Sequence, residues 1–262
     1  MNDLLQAALL GLVEGITEFL PISSTGHLLI AEHWLGARSE LFNVAIQAGA
    51  ILASVLVFWP RVATLLRDIR LPESRDYLGK LALAFAITAA GGFVAKKLGL
   101  ALPETIAPVA GALILGGVAM LLIERLVAVR TTTTGATWRV AIAVGCGQLV
   151  AAVFPGTSRS AASIFAAMLA GMNSRPAATE FSFLVGIPTM FAATGYEFLK
   201  LRNNASASAH EDWPALAVAF VVATIVAYLA VRWLLRYLQT HRFTAFAWYR
   251  IAAGLLLLAM VR

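Results

Sequence analysis

Four long apolar stretches dominate this 262-residue chain, at about 77–98, 105–128, 213–237 and 243–261. Each reaches the roughly 20 residues that a helix needs to cross about 30 Å of hydrocarbon. Two more, 42–59 and 178–199, are shorter or carry Gly and Pro but still suffice. Apolar residues make up 60% of the chain and charged ones 13%, with a mean hydropathy of +0.81. A water-soluble chain of this size has no interior large enough to hide that much apolar surface. The expectation is an all-α polytopic membrane protein with six transmembrane helices.

Two apolar regions do not fit a simple crossing. Residues 3–34 are interrupted by Pro21-Ile22-Ser23-Ser24-Thr25-Gly26, and residues 138–171 by Pro155-Gly156-Thr157-Ser158-Arg159-Ser160. Each makes two helices too short to span, joined by a polar, helix-breaking turn. Irregular backbone at membrane depth is tolerated only where protein or a watery cavity meets it. Both regions therefore read as re-entrant helical hairpins with inward tips.

Gly11, Glu14, Pro21 and Ser24 match Gly145, Gln148, Pro155 and Ser158 at one constant offset. In each half a broken hairpin precedes three spanning helices. The chain reads as a single membrane domain, 1–262, of two inverted-topology repeats, about 1–130 and 131–262. Paired interrupted segments of this kind point to a site at the repeat interface. Arginines concentrate in the connections 60–77, 125–139 and 232–242, which are expected to be cytoplasmic, with both termini outside. The net charge of +6 is scattered among connections and forms no basic face, so no nucleic acid is expected. The lone Cys146 excludes an internal disulfide. The N-terminus lacks the pattern of a cleaved signal peptide, and Asn203–Asp212 reads as a solvated external loop.

Polar groups in apolar helices are costly and therefore informative. Glu14 and Glu18 share a helical face and repel if both are ionised. A divalent cation or a strong cationic partner relieves both penalties; capping of a short interfacial helix is the plainer alternative. Ser23, Ser24 and Thr25 fall where a helix N-cap belongs. Ser24 and His27, three apart, share a face and suit nucleophile activation or proton transfer, although a lone histidine is more often structural.

In the second tip, hydroxyls surround Arg159 at a helix start. Free backbone N–H groups, the helix dipole and a guanidinium together suit a phosphate, and Ser163 lies one turn on. An ordinary capped helix would carry the same residues. Carboxylates beside an anion cradle make electrostatic sense when a metal ion bridges them to phosphate oxygens. Phosphate ester chemistry in lipid is the natural inference.

At this point the sequence resembles the undecaprenyl-diphosphate phosphatases, or bacitracin-resistance proteins. The likeness rests on Glu14-Gly15-Ile16-Thr17-Glu18-Phe19-Leu20-Pro21-Ile22-Ser23-Ser24-Thr25-Gly26-His27, on Pro155–Ser160 and on Glu180-Phe181-Ser182-Phe183-Leu184. It runs in order over essentially the whole chain, although Ser163 stands where the family pattern usually has threonine. The resemblance implies hydrolysis of the C55 carrier diphosphate to its monophosphate in a bacterial inner membrane, recycling lipid carrier for cell-wall synthesis. It also implies a divalent-cation requirement (Mg2+ or Ca2+), a site open to the periplasm and bacitracin resistance.

In the resulting scheme Arg159, Ser158, Ser160 and Ser163, with Ser23 and Thr25, hold the diphosphate. Glu14 and Glu18 bind the cation or position the attacking group, and His27 shuttles a proton. Ser24 is either a covalent nucleophile or a positioning hydroxyl. Gln148 and Glu180 line the cavity or simply pack. The partners are the polyprenyl diphosphate and membrane lipids; the sequence does not fix the oligomeric state, and a homodimer is compatible with it. A lipid flippase using the same headgroup site is the main rival. An intramembrane serine protease fits less well, because it leaves the Arg159 motif unexplained.

Overall fold

The structure is a computed structural model that describes residues 3–100, 102–103, 105–128, 132–202 and 211–260. Among these residues all regular structure is helical. Helices α1 (Asp3–Thr17) and α2 (Ser24–Leu35) precede three long ones, α3 (Glu40–Arg67), α4 (Pro72–Lys97) and α5 (Ile106–Ala128). The order then repeats with α6 (Trp138–Val153), α7 (Arg159–Leu169), α8 (Arg175–Arg202), α9 (Trp213–Tyr237) and α10 (Thr244–Met260).

Helices α3, α4, α5, α8 and α9 are long and apolar enough to cross a bilayer. The expected sixth span, 243–261, forms the apolar but shorter α10, of 17 residues. Residues 203–210 of the expected external loop lie outside the described residues. Its last two residues do more than meet solvent: Glu211 accepts a hydrogen bond from Ser39 Oγ at 2.6 Å, and Asp212 caps α9 through Ala215 N–H at 3.0 Å.

Local chemistry sets several boundaries. Ser39 and Thr137 accept from the N–H groups of Phe42 and Val140 and start α3 and α6. Pro72 and Pro214 occupy first-turn positions, where a missing N–H costs nothing. Pro21 and Pro155 sit in the breaks between α1 and α2 and between α6 and α7. A proline cannot supply the donor that a continuous helix needs there.

Helix α1 packs against α9, and α6 packs against α4. Ala215, Ala219, Ala223 and Ala227 recur every four residues on α9 and are fully buried, making a flat stripe. A Cβ on Gly11 would lie 2.4 Å from the Ala219 carbonyl, and one on Gly15 would lie 2.8 Å from that of Ala223. On the other side, a Cβ on Gly145 would lie 2.9 Å from the Ala84 carbonyl. Small residues that let backbones approach supply the packing energy where lipid removes the hydrophobic drive. The first arm of each broken pair thus docks on a long helix of the opposite half.

All six tryptophans are at least half exposed, from 50% at Trp138 and Trp233 to 72% at Trp34. Such rings suit a membrane–water interface. Glu124 on α5 is 3% exposed and accepts from Arg175 Nε at 2.8 Å, Arg175 Nη2 at 2.5 Å and the Phe243 N–H at 3.0 Å. This knot ties the end of α5 to the starts of α8 and α10.

Candidate active site

The two breaks meet inside the protein. Glu18, just past α1, is 8% exposed, and Arg159 opens α7. Arg159 Nη2 donates to Glu18 Oε1 at 2.6 Å, while Ser24 Oγ donates to Glu18 Oε2 at 2.6 Å. One carboxylate therefore joins a hydroxyl from the first tip to a guanidinium from the second.

Both tips use the same unusual backbone. Ser23 precedes α2 with φ 73° and Ser158 precedes α7 with φ 70°; among the described residues they are the only non-glycines with positive φ. Each such residue costs on the order of 1–3 kcal/mol and persists only where its surroundings enforce it. At the helix starts the conformational counterpart of Ser158 is thus Ser23, the residue before Ser24. Ser24 and Arg159 then occupy equivalent places, each the first residue of its helix. First-turn N–H groups lack helical partners and suit an anion; that of Ala161 donates to Ser158 Oγ at 3.3 Å.

Between the tips is a cavity of about 860 Å³ bordered by Glu18, Ser23, Ser24, Thr25, Ser158 and Arg159. Its far wall comes from the first half of α3 and the later parts of α4 and α8, with apolar Phe85, Phe93 and Ala192 beside Gln47 and Thr88. Lys96 and Lys97 lie at the rim; Lys96 pairs with Glu197 at 2.6 Å. A polar head between helix N-termini and an apolar body suit a lipid with an anionic headgroup.

Several expected residues are placed differently. Ser24 and His27 do not hydrogen bond to each other; the proton acceptor for Ser24 is Glu18. His27 Nδ1 lies 2.6 Å from the Ser23 carbonyl, which can only accept, so Nδ1 carries the proton. Nε2 lies 2.7 Å from Tyr249 Oη, which can donate to it or accept from it. Ser163 Oγ turns back to the carbonyls of Arg159 and Ser160, at 2.8 and 3.2 Å, and does not border the cavity. Ser160 Oγ reaches the Leu20 carbonyl at 3.2 Å and Ser158 Oγ at 3.0 Å, linking the tips. Glu180 pairs with Arg61 at 3.1 Å, away from the cavity.

Glu14 is fully buried, and neither carboxylate oxygen has a partner. A lone carboxylate there is costly as an anion, so a cation or a proton has to accompany it. Among the described residues no three His, Cys, Asp or Glu side chains gather as a ready metal cage. Two carboxylates one helical turn apart would suit a hard divalent ion, although only Glu18 borders the cavity and Glu14 lies behind it. Gln148, at 2% exposure, borders the cavity with its amide unpartnered.

Arg250 on α10 was missed in the sequence, although it was detectable as a cation inside the apolar run 243–261. It is fully buried and donates to backbone carbonyls of both tips. Its neighbour Tyr249 holds His27.

The fold and site define an all-helical membrane protein in which a serine, a carboxylate and an arginine border one partly apolar cavity. The chain belongs to the bacitracin resistance protein BacA family, whose model matches residues 7–256. It is 60% identical over 258 residues to the undecaprenyl-diphosphatase of Rhizobium etli, covering 98% of this chain and 97% of that protein. Its identity to the undecaprenyl-diphosphatase of Xanthomonas oryzae pv. oryzae is 54% over 258 residues, with 98% and 97% covered. The enzyme of that name from Xylella fastidiosa is also 54% identical over 258 residues, with 98% of each chain covered.

Proposed function

We propose that this protein hydrolyses undecaprenyl diphosphate to undecaprenyl phosphate and inorganic phosphate, which recycles the lipid carrier for peptidoglycan synthesis and confers bacitracin resistance. The observation that carries the reading is Glu18 standing between Ser24 and Arg159 at 2.6 Å from each.

Before substrate arrives, Arg159 neutralises Glu18. A terminal phosphate entering between the tips offers the guanidinium a second acceptor, with Ser158, Thr25 and helix N-terminal N–H groups completing the cradle. Glu18, released from part of its ion pair, becomes a better proton acceptor for Ser24. The Ser24 Oγ–H proton passes to Glu18 Oε2 as Oγ attacks the terminal phosphorus. The anhydride P–O bond breaks, lipid monophosphate leaves, and water then cleaves the phosphoserine. His27 serves in this account to hold Ser23 and the tip, through the bonds to Ser23 and Tyr249. Ser160 and Ser163 hold the second tip in shape.

Glu14 and Glu18 are the residues that would hold a divalent cation, Mg2+ or Ca2+. Such an ion would supply charge neutralisation at the phosphate oxygens.

The membrane arrangement belongs to the same proposal. Helices α3, α4, α5, α8, α9 and α10 cross, and the α1–α2 and α6–α7 pairs form re-entrant hairpins 3–34 and 138–171. These elements build inverted repeats, about 1–130 and 131–262, in the bacterial inner membrane. Reciprocal docking of α1 on α9 and α6 on α4 supports the repeats. The cavity lies toward the start of α3 and the ends of α4 and α8. Arginines concentrate at the opposite ends, which supports a periplasmic opening.

That reciprocal packing is also what a lipid flippase would use. The two activities separate in detergent, where a membrane has no sides. Purified protein given undecaprenyl diphosphate is expected to release inorganic phosphate catalytically. Stoichiometric binding without release would favour transport and overturn the hydrolase reading.

A further inference from the structure

Arg250 is the largest of the fully buried side chains, and among the described residues it forms no ion pair. All five of its N–H bonds point at backbone carbonyls. Nη1 donates to Pro21 at 3.2 Å and Thr157 at 2.9 Å; Nη2 donates to Gly156 at 3.1 Å and Ala112 at 3.1 Å; Nε reaches Leu113 at 3.4 Å.

The choice of carbonyls is specific. Pro21 lies two residues before Ser23, and Gly156 lies two residues before Ser158, so the guanidinium grips the same position in each tip. Those serines are the two positive-φ non-glycines among the described residues, and they precede α2 and α7 at the border of the cavity. A planar, rigid fork can hold two carbonyl groups at a fixed separation and angle in a way that a lysine ammonium cannot. Space for the fork is reserved on α5, because a Cβ on Gly116 would lie 2.3 Å from Nη2 and 2.9 Å from Cζ. Three separate elements therefore accommodate one side chain that touches neither Glu18 nor Ser24.

We infer that Arg250 is a positioning residue for the hydrolysis, clamping both tips so that Ser24 and Arg159 converge on Glu18. Anchored to α5 and α10, the clamp keeps the nucleophile and the anion cradle in register during turnover. The inference rests on the hydrolase reading, and the wild-type arm of the test separates the two.

The test uses the full-length protein purified in detergent, with Arg250→Lys, Arg250→Met and Gly116→Ala compared to wild type. Gly116→Ala matters because it displaces the guanidinium while keeping its charge. Four quantities are read: melting temperature, kcat, KM for undecaprenyl diphosphate, and inhibition by orthovanadate, which mimics the transferring phosphoryl group. Misalignment of reacting groups by about 1 Å can cost about 100-fold. Arg250→Met and Gly116→Ala, whichever melts within a few degrees of wild type, are each expected to lose about 10- to 100-fold in kcat, with KM within about threefold. The vanadate inhibition constant of each should rise by the factor lost in kcat/KM, because a transition-state mimic senses alignment.

A fall in kcat with unchanged vanadate affinity would mean fewer competent molecules and a purely structural arginine, which overturns the inference. Wild-type kcat in folded Arg250→Met or Gly116→Ala overturns it as well. Failure of all three variants to fold would assign Arg250 to stability alone and has the same consequence. A wild-type protein that binds the lipid but releases no phosphate would sink the hydrolase reading first, and the inference with it.

Discussion

Glu18 and Arg159 stand 141 positions apart in the chain, yet Arg159 Nη2 donates to Glu18 Oε1 at 2.6 Å. Their side chains are 5% and 31% exposed. Removing one partner of so enclosed a pair leaves a charge without compensation. In the proposed reaction the incoming diphosphate replaces Glu18 as a partner for Arg159, so the ion pair stores both the anion site and the base until substrate arrives.

Ser24 donates to Glu18, and if it attacks phosphorus as proposed, a phosphoserine should form at Ser24. Acid quench of wild type under single-turnover conditions, followed by peptide mass spectrometry, should find the modified residue. Ser24→Ala should lose at least about 100-fold in turnover. A quenched sample without phosphoserine through a full turnover would favour direct attack by water.

Ser163 offers its hydroxyl to its own helix, a local bond of modest worth. Ser163→Ala should therefore change turnover by less than about threefold. A loss of about 100-fold in phosphate release would return the hydroxyl to the phosphate site.

Glu124 compensates Arg175 far from the cavity. Glu124→Ala leaves that arginine charged and enclosed, and should cost about 3–5 kcal/mol of stability. The melting temperature in detergent should fall clearly, while molecules still folded at low temperature keep wild-type KM. An unchanged melting temperature would show that water or lipid compensates Arg175 readily.

The unpartnered carboxylate of Glu14 needs a proton or a cation, and the proposed reaction assigns it a divalent cation. Treatment with a chelator should abolish phosphate release, and Mg2+ or Ca2+ should restore it. Glu14→Gln should raise the concentration of cation needed for half-maximal turnover. Full activity after exhaustive chelation would remove the ion from the reaction.

The sequence made the helical architecture readable because length and apolarity alone decide which segments cross lipid. The breaks at Pro21 and Pro155 were equally plain. What stayed hidden was contact geometry. A constant offset pairs Gly11 with Gly145, which both dock on a carbonyl of the other half, but at the helix starts backbone conformation pairs Ser23, not Ser24, with Ser158. Helical spacing put Ser24 beside His27, but a carboxylate before the turn won the hydroxyl. The role of Arg250 depends on five carbonyls from three parts of the chain, which no local pattern encodes.

A double-mutant cycle on kcat/KM for phosphate release, with Glu18→Ala, Arg159→Ala and the pair, tests the meeting of the two tips most directly. Each single variant should lose at least about 100-fold, and the double should fall no more than about tenfold below the worse single, because groups that act as a unit are not additive. Fully multiplicative losses, or a single variant within about threefold of wild type, would mean that the two residues do not serve one site.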